Sequence, residues 1–325
     1  GISPDFRIAE PAEVELLKLE VLEDLLEELY EANDDRIVKI TGIYSGYRGD
    51  ENLKGILLNI YNYIQSNPSP EEWLNFQVEK FNMSNQNFAE TEWADILIKN
   101  YEKNILKYVK QLEKISLKLE KEVELQKYYF VIRDDIEQLK NLMCNGMDWD
   151  KAYTLSQSFK MKTWPIDKKI VSVIKEEAKE ERGNIRTSVK KLIETTFACD
   201  NEQATVDIQA MYEVLNILRE IIFMFIEKLK QAKQLKNIID FNDIEHYSLN
   251  ILTKRDEDGN IVNSDIAIKY MEKFEEIAID EYQDSNEVQE AILKSISNGK
   301  NLFMVGDVKQ SIYKFRQARP ELFLG

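Results

Sequence analysis

Ligands for soft metals are nearly missing from this chain of 325 residues, which has two cysteines, Cys144 and Cys199, and one histidine, His246. Neither cysteine stands at a metal-ligand spacing from another candidate, so a zinc site and a disulfide framework are both excluded, and both are read as ordinary thiols. Long apolar runs are also missing. No stretch approaches the roughly 20 residues needed to cross a bilayer, and no basic start leads into a short apolar segment. A reducing cytoplasm is the expected setting, with no membrane contact. Positive charge is the third shortage: 43 Lys and Arg face 59 Asp and Glu, a net charge of -16. Bulk electrostatics therefore cannot draw a polyanion to this surface, and any contact with nucleic acid has to be local.

What is present is helical in character. Hydrophobic residues make up 43% and charged residues 31%, the balance of a folded globular chain rather than a disordered one. The length suits two domains of ordinary size, or one core with a large insertion. From Glu13 to Tyr30 the residues Val14, Leu17, Val21, Leu22, Leu25, Leu26 and Leu29 recur at three- and four-residue steps, which predicts an amphipathic helix. Gly42, Gly46 and Gly49 mark a polar break over 41–52. Helical spacing then returns over Leu53–Ile64 and stops at Asn67-Pro68-Ser69-Pro70, where Pro70 opens a further helix. Residues 91–143 contain neither glycine nor proline and predict one or two long helices ending at Cys144-Asn145-Gly146. Gly183 and Asn184 are expected to break the next helical region. The stripe Met211, Leu215, Leu218, Ile222, Phe225 and Leu229 predicts another long helix over 203–236.

After Asn237 the pattern changes. Ile277–Ile279 and Leu302–Val305 are short apolar runs, each ending at acidic or Gly-Asp residues, with helical spacing over 286–296 between them. Strand, helix, strand implies a parallel pair whose carboxyl ends share one edge, where open sheets place ligands. The expected fold class is therefore mainly α with a smaller α/β part, divided into a helical subdomain at 1–235 and an α/β part at 236–325.

Both strand ends carry chemistry. Ile279 leads into Asp280-Glu281-Tyr282-Gln283-Asp284, where one carboxylate can bind a hard cation and its neighbour can orient a water for attack on a phosphoryl group. An acidic pair is commonly just solvated surface, but its place after an apolar strand argues against that. The second run is Val305-Gly306-Asp307-Val308-Lys309-Gln310-Ser311-Ile312-Tyr313-Lys314-Phe315-Arg316. Its glycine permits a tight turn and Gln310 offers an amide that can sense a phosphate. Tyr313 and Phe315 lie among Lys309, Lys314, Arg316 and Arg319, which suits a single strand whose bases stack on aromatic faces. Aromatics at alternate positions also suit a half-buried strand.

Together and in this order, the two runs resemble motifs II and III of the UvrD/Rep-type superfamily 1A helicases. The wording Val-Lys-Gln-Ser-Ile-Tyr-Lys-Phe-Arg is similar to that of AddA subunits of AddAB helicase-nucleases, and to RecB. Asp240-Phe241-Asn242-Asp243-Ile244-Glu245-His246 resembles the motif that precedes motif II, and Tyr44-Ser45-Gly46 with the following helix is a weaker match. The resemblance implies a partial RecA-like P-loop NTPase domain at 236–325, with 1–235 as a helical subdomain inserted into it. It implies ATP and Mg²⁺ as cofactors, Asp280 as the Mg²⁺-associated carboxylate and Glu281 as the base that activates water. Gln310 would sense the γ-phosphate. Tyr313, Lys314, Phe315 and Arg316 would contact DNA, Arg316 also linking that surface to the nucleotide side. Phe315 stands where Trp is frequent and Gln317 where Gly is frequent, departures that bear on the DNA contact. The implied partners are single- and double-stranded DNA and an AddB-like subunit.

A P-loop needs Gly-x-x-x-x-Gly-Lys followed by Ser or Thr, and no such run occurs; Gly299-Lys300 is followed by Asn301. Neither the arginine fingers of a second motor domain nor an exonuclease domain is visible. The expectation is an internal fragment of an ATP-dependent 3′ to 5′ DNA helicase acting in double-strand break repair, inactive by itself. The Lys/Glu-rich helices could instead form a protein-interaction module carrying a vestigial motor region. His246 is assigned no role.

Overall fold

The computed structural model describes residues 5–44, 49–143, 146 and 148–310, with Gln310 described in its backbone only. About 70% of the chain is helical, with a few short strand pairs. Two compact units form: residues 1–80 with 213–325, and residues 81–212. The change of sequence character at Asn237 does not coincide with these limits. Compactness follows which apolar stripes meet, not where the composition changes.

In the first unit, strand β1 (Arg7–Ile8) leads into helix α1 (Pro11–Glu31), which Pro11 opens at a position that needs no N–H donor. The predicted stripe is its buried face, from Val14 to Leu29. Lys18 is buried with it, its Nζ donating to Glu15 at 2.7 Å and to Asn62 at 2.9 Å. Helix α2 (Asp35–Tyr44) runs through Thr41 and Gly42, where a polar break was expected, because Ile37 and Ile40 are fully buried and hold it. Helices α3 (Glu51–Ile64) and α4 (Pro70–Glu79) follow, separated at the predicted Asn-Pro-Ser-Pro turn.

The second unit contains α5 (Glu92–Glu120), α6 (Gln126–Asn141), α7 (Trp149–Gln157), α8 (Val173–Thr196) and the start of α9 (Asn201–Leu235). Its core joins Ile105, Val109 and Leu112 of α5 to Tyr128, Ile132 and Leu139 of α6, Trp149 of α7 and Val189 of α8. The break expected at Gly183-Asn184 does not occur, and α8 passes straight through. Ala178, Arg182, Ile185, Val189 and Ile193 are buried along one face of α8, and that packing outweighs the roughly 1 kcal/mol that a helical glycine costs. Within this core the Arg182 guanidinium grips Asp135, with Nη2 at 3.0 Å from Oδ1, and also donates to the Lys162 carbonyl at 2.7 Å.

Back in the first unit, the part of α9 from residue 213 on buries Leu218, Ile222, Phe225 and Leu229; Met211, at the head of the predicted stripe, belongs to the second unit and is exposed. Strand β2 (Ile238–Ile239) pairs in parallel with β1, a contact between chain segments too short and too distant to be seen in sequence. Helix α10 (Phe241–Leu252) precedes an antiparallel hairpin of β3 (Thr253–Arg255) and β4 (Ile261–Asn263). Gly259, at φ +83°, makes the hairpin turn, and Asp256 Oδ1 accepts from the N–H groups of Asp258 and Asn260. The Asp-Gly pair at 258–259 is a turn signal that could have revealed this hairpin. Helix α11 (Asp265–Lys273), β5 (Ile277–Ile279), α12 (Glu287–Ile296) and β6 (Leu302–Met304) complete the described chain.

Strands β5 and β6 are parallel, with Ile279 opposite Met304. The predicted strand–helix–strand unit is therefore present, but its strands are not buried. Ala278, Phe303 and Met304 are exposed because, among the described residues, each strand has a single neighbour. No helix of the described residues is long and apolar enough to cross a membrane.

Candidate active site

The strand ladder continues past the strands themselves. Val305 N–H donates to the Ile279 carbonyl at 2.9 Å and Tyr282 N–H donates to the Val305 carbonyl at 2.9 Å. The chain leaving β5 is thereby stitched to the chain leaving β6, and Asp280, Glu281, Gly306 and Asp307 come to one edge. At the turn Glu281 adopts the left-handed conformation, φ 52° and ψ 37°. That region is costly for a residue with a Cβ and persists where surroundings impose it, often at functional sites.

Asp280 and Glu281 are both exposed at this edge. Asp280 Oδ1 accepts from Glu281 N–H at 2.9 Å, which leaves its other oxygen for a ligand. Glu281 Oε2 accepts from Gln283 Nε2 at 2.6 Å, and Gln283 Oε1 accepts from Asp307 N–H at 2.9 Å. Gln283 is buried, as is Tyr282, whose hydroxyl donates to Glu290 of α12 and whose ionisation is pushed well above the ordinary phenol range, chiefly by burial. Asp284 Oδ1 is buried with no hydrogen-bond partner among the described residues.

These oxygens suit magnesium better than a softer metal. No group of three or more His, Cys, Asp or Glu side chains among the described residues could hold a metal by protein ligands alone. Magnesium commonly needs less, taking one or two carboxylates and completing its shell with water and substrate phosphates. Asp280, on a strand end with a free oxygen, fits that role.

The Asp240–His246 run serves the same edge indirectly. Asp240 and Asp243 form a capping box that starts α10, and Lys233 Nζ joins them at 2.6 and 2.9 Å. Burial would raise the Asp240 carboxyl, but the Lys233 ammonium and the Asp243 N–H outweigh it and hold it below the usual carboxylate range. Glu245 accepts from Gln289 Nε2 at 2.7 Å, tying α10 to the first turn of α12. His246 meets the Gln65 carbonyl at 3.0 Å, a packing contact. A cleft of about 980 Å³ opens beside Glu281, lined by Phe241, Asn242, Glu245, Asp284, Asn286 and Gln289 among others.

The backbone turn Val308–Gln310 directly follows Asp307, and Lys309 N–H donates to Asp307 Oδ1 at 2.9 Å. This brings the start of the second motif against the first. The Gln310 side chain and Tyr313, Lys314, Phe315 and Arg316 lie outside the described residues.

In the other unit, Lys99, Lys103, Lys107, Lys110 and Lys114 form an exposed row on α5. No acidic side chain pairs with any of them among the described residues, whereas Lys18, Lys39, Lys54, Lys118 and Lys140 are all ion-paired. The four- and three-residue spacing was readable in sequence. That these lysines lack acidic partners was not, and neither was the burial of Gln283.

Parallel strands thus deliver a carboxylate pair and a Gly-Asp turn to one edge. A family model described as the UvrD/REP helicase N-terminal domain matches residues 4–325, and the chain belongs to that family. It is 39% identical over 336 residues to the A subunit of the ATP-dependent helicase/nuclease of Acetivibrio thermocellus, covering 100% of this chain and 27% of the relative. The protein of the same description from Clostridioides difficile is 39% identical, covering 100% and 26%. That from Ruminiclostridium cellulolyticum is 37% identical, covering 99% and 27%. The chain thus spans about a quarter of the length of these relatives.

Proposed function

We propose that this chain is part of the motor of an ATP-dependent helicase-nuclease that moves 3′ to 5′ on single-stranded DNA in double-strand break repair and recombination. It would work in the cytoplasm beside an AddB-like subunit, with an exonuclease domain elsewhere in the protein. The observation that carries this reading is the junction at the β5–β6 edge, where Gln283 bridges the Glu281 carboxylate to the Asp307 N–H of the turn that begins the second motif. The relatives, each named as the A subunit of an ATP-dependent helicase/nuclease, point the same way.

In this reading Asp280 holds Mg²⁺, which when bound offsets the negative charge of the ATP phosphates. Glu281 accepts the proton of the attacking water through Oε1, which makes no hydrogen bond with the described residues, while Oε2 is held by Gln283. Gln310 senses the γ-phosphate. Tyr313 and Phe315 stack on bases of the translocating strand, Lys314 and Arg316 meet its phosphates, and Arg316 relays its position toward the nucleotide. The unpaired lysine row of α5 supports a further, sequence-independent contact with duplex DNA, since freely exposed ammonium groups can displace the counterions of a phosphate backbone.

The deciding experiment is ATP hydrolysis stimulated by single-stranded DNA in the full-length protein, compared with Glu281→Gln. The expected result is a loss of turnover of at least about 100-fold, on the order of what a positioned general base contributes, with nucleotide binding retained. A folded protein showing no stimulation by DNA would instead favour a helical interaction module with a vestigial motor region.

A further inference from the structure

Gln283 uses both ends of one rigid amide. Its Nε2 donates to Glu281 Oε2 at 2.6 Å and its Oε1 accepts from Asp307 N–H at 2.9 Å. The residue is 1% exposed, so water cannot readily replace either bond. The chain at Gly306 lies so close that a Cβ there would come within 2.3 Å of Gln283 Oε1 and 3.2 Å of its backbone nitrogen. A side chain at Gly306 would therefore have to push the Gln283 amide out of its place. Around this bridge the backbones are already fixed to each other through Val305. The exposed Glu281 carboxylate is the freer part of the assembly, and Gln283 is its hydrogen-bonding partner.

We propose that Gln283 is a positioning residue that sets the Glu281 carboxylate according to the position of the Gly306–Gln310 turn. The proposal rests on Glu281 being the base. Because the turn leads into the residues assigned to DNA, its displacement would pass through the Asp307 N–H to the amide and on to Oε2. The other carboxylate oxygen would then be aimed at water or turned from it. Gln283 itself touches neither ATP nor the reacting water. Its loss should therefore lower kcat and the degree of DNA stimulation, and leave the affinity for ATP in place.

The test is steady-state ATP hydrolysis by the full-length protein with and without single-stranded DNA, for the native sequence, Glu281→Gln, Gln283→Ala and Gln283→Glu. Gln283→Ala is expected to lower the DNA-stimulated kcat about tenfold or more with KM for ATP changed less than about twofold, the cost of a charge-assisted hydrogen bond. Removing a buried amide can also destabilise the fold, so Gln283→Glu supplies an independent readout. Its carboxylate can still accept from Asp307 but repels Glu281 when ionised and donates to it only when protonated. DNA-stimulated turnover of this variant, relative to the native protein, should rise as pH falls. If Glu281→Gln abolishes hydrolysis while Gln283→Ala keeps its kcat and stimulation, or if Gln283→Glu shows the native pH profile, Gln283 does not position the carboxylate. If Glu281→Gln retains turnover, the base assignment fails and the positioning role falls with it.

Discussion

Single residues carry opposite electrostatic situations in the two units. Asp135 and Arg182 form a buried pair, with the carboxylate fully enclosed. Burial raises the Asp135 carboxyl more than Arg182 lowers it, so the pair is held by geometry and satisfied hydrogen bonds rather than by easily won charge energy. Removing one partner leaves the other uncompensated, and Arg182→Met should destabilise the protein by about 3–5 kcal/mol, read from urea unfolding; a loss under about 1 kcal/mol would contradict this. Asp34 is the reverse case. Hydrogen bonds from the Arg36 side chain and backbone hold its carboxyl down to about 2, against an ordinary value of 3.8. A depressed folded-state value means that the carboxylate stabilises the fold above about pH 4, and that this contribution is lost as pH falls toward 2. Asp34→Asn should therefore be less stable than the native protein at neutral pH, with the gap closing below pH 4 in acid titrations of thermal unfolding. The Asp280-Glu281 pair was legible from its place behind an apolar run. Gln283, two residues on, was not, because nothing in a sequence distinguishes an amide bridging two turns from one in solvent.

At the scale of elements, periodicity located the longer helices, and the two false breaks, at Gly42 and Gly183, share a cause. Gly183 looked like a break because glycine costs backbone entropy, yet α8 continues because its neighbours in sequence are anchored in the core. A Cβ at Gly183 would meet nothing within 4 Å and its backbone is helical. Gly183→Ala should thus stabilise the protein by up to about 1 kcal/mol. At Gly259, with φ +83°, the same change should destabilise it by about 1 kcal/mol or more. Opposite signs in one unfolding series would separate helix interior from turn, and equal signs would refute the distinction. The lysine row of α5 makes a different prediction. Replacing Lys103, Lys107, Lys110 and Lys114 by Ala in the full-length protein should weaken duplex DNA binding without sequence preference. It should also flatten the dependence of affinity on salt by about 0.9 in log–log slope for each phosphate no longer neutralised. An unchanged slope would remove α5 from the DNA surface.

For the whole molecule, the open feature is the β5–β6 pair. Phe303 and Met304 are exposed, and among the described residues neither strand has a second neighbour. Unpaired strand edges with apolar side chains recruit other strands. The 325-residue chain on its own should therefore self-associate in sedimentation, and Phe303→Lys should shift it toward monomer; a monomeric native chain would show that the edge is protected. The sequence by itself determined the helical class, the strand–helix–strand unit and the residue types at its two ends, because those depend on local periodicity and on spacing along the chain. Only the tertiary structure decided what joins distant segments: the pairing of β1 with β2, the grouping of 1–80 with the part of the chain after 213, and the burial of Gln283 between two turns. Local spacing carries no record of those contacts, since each depends on which surfaces meet after the helices have formed.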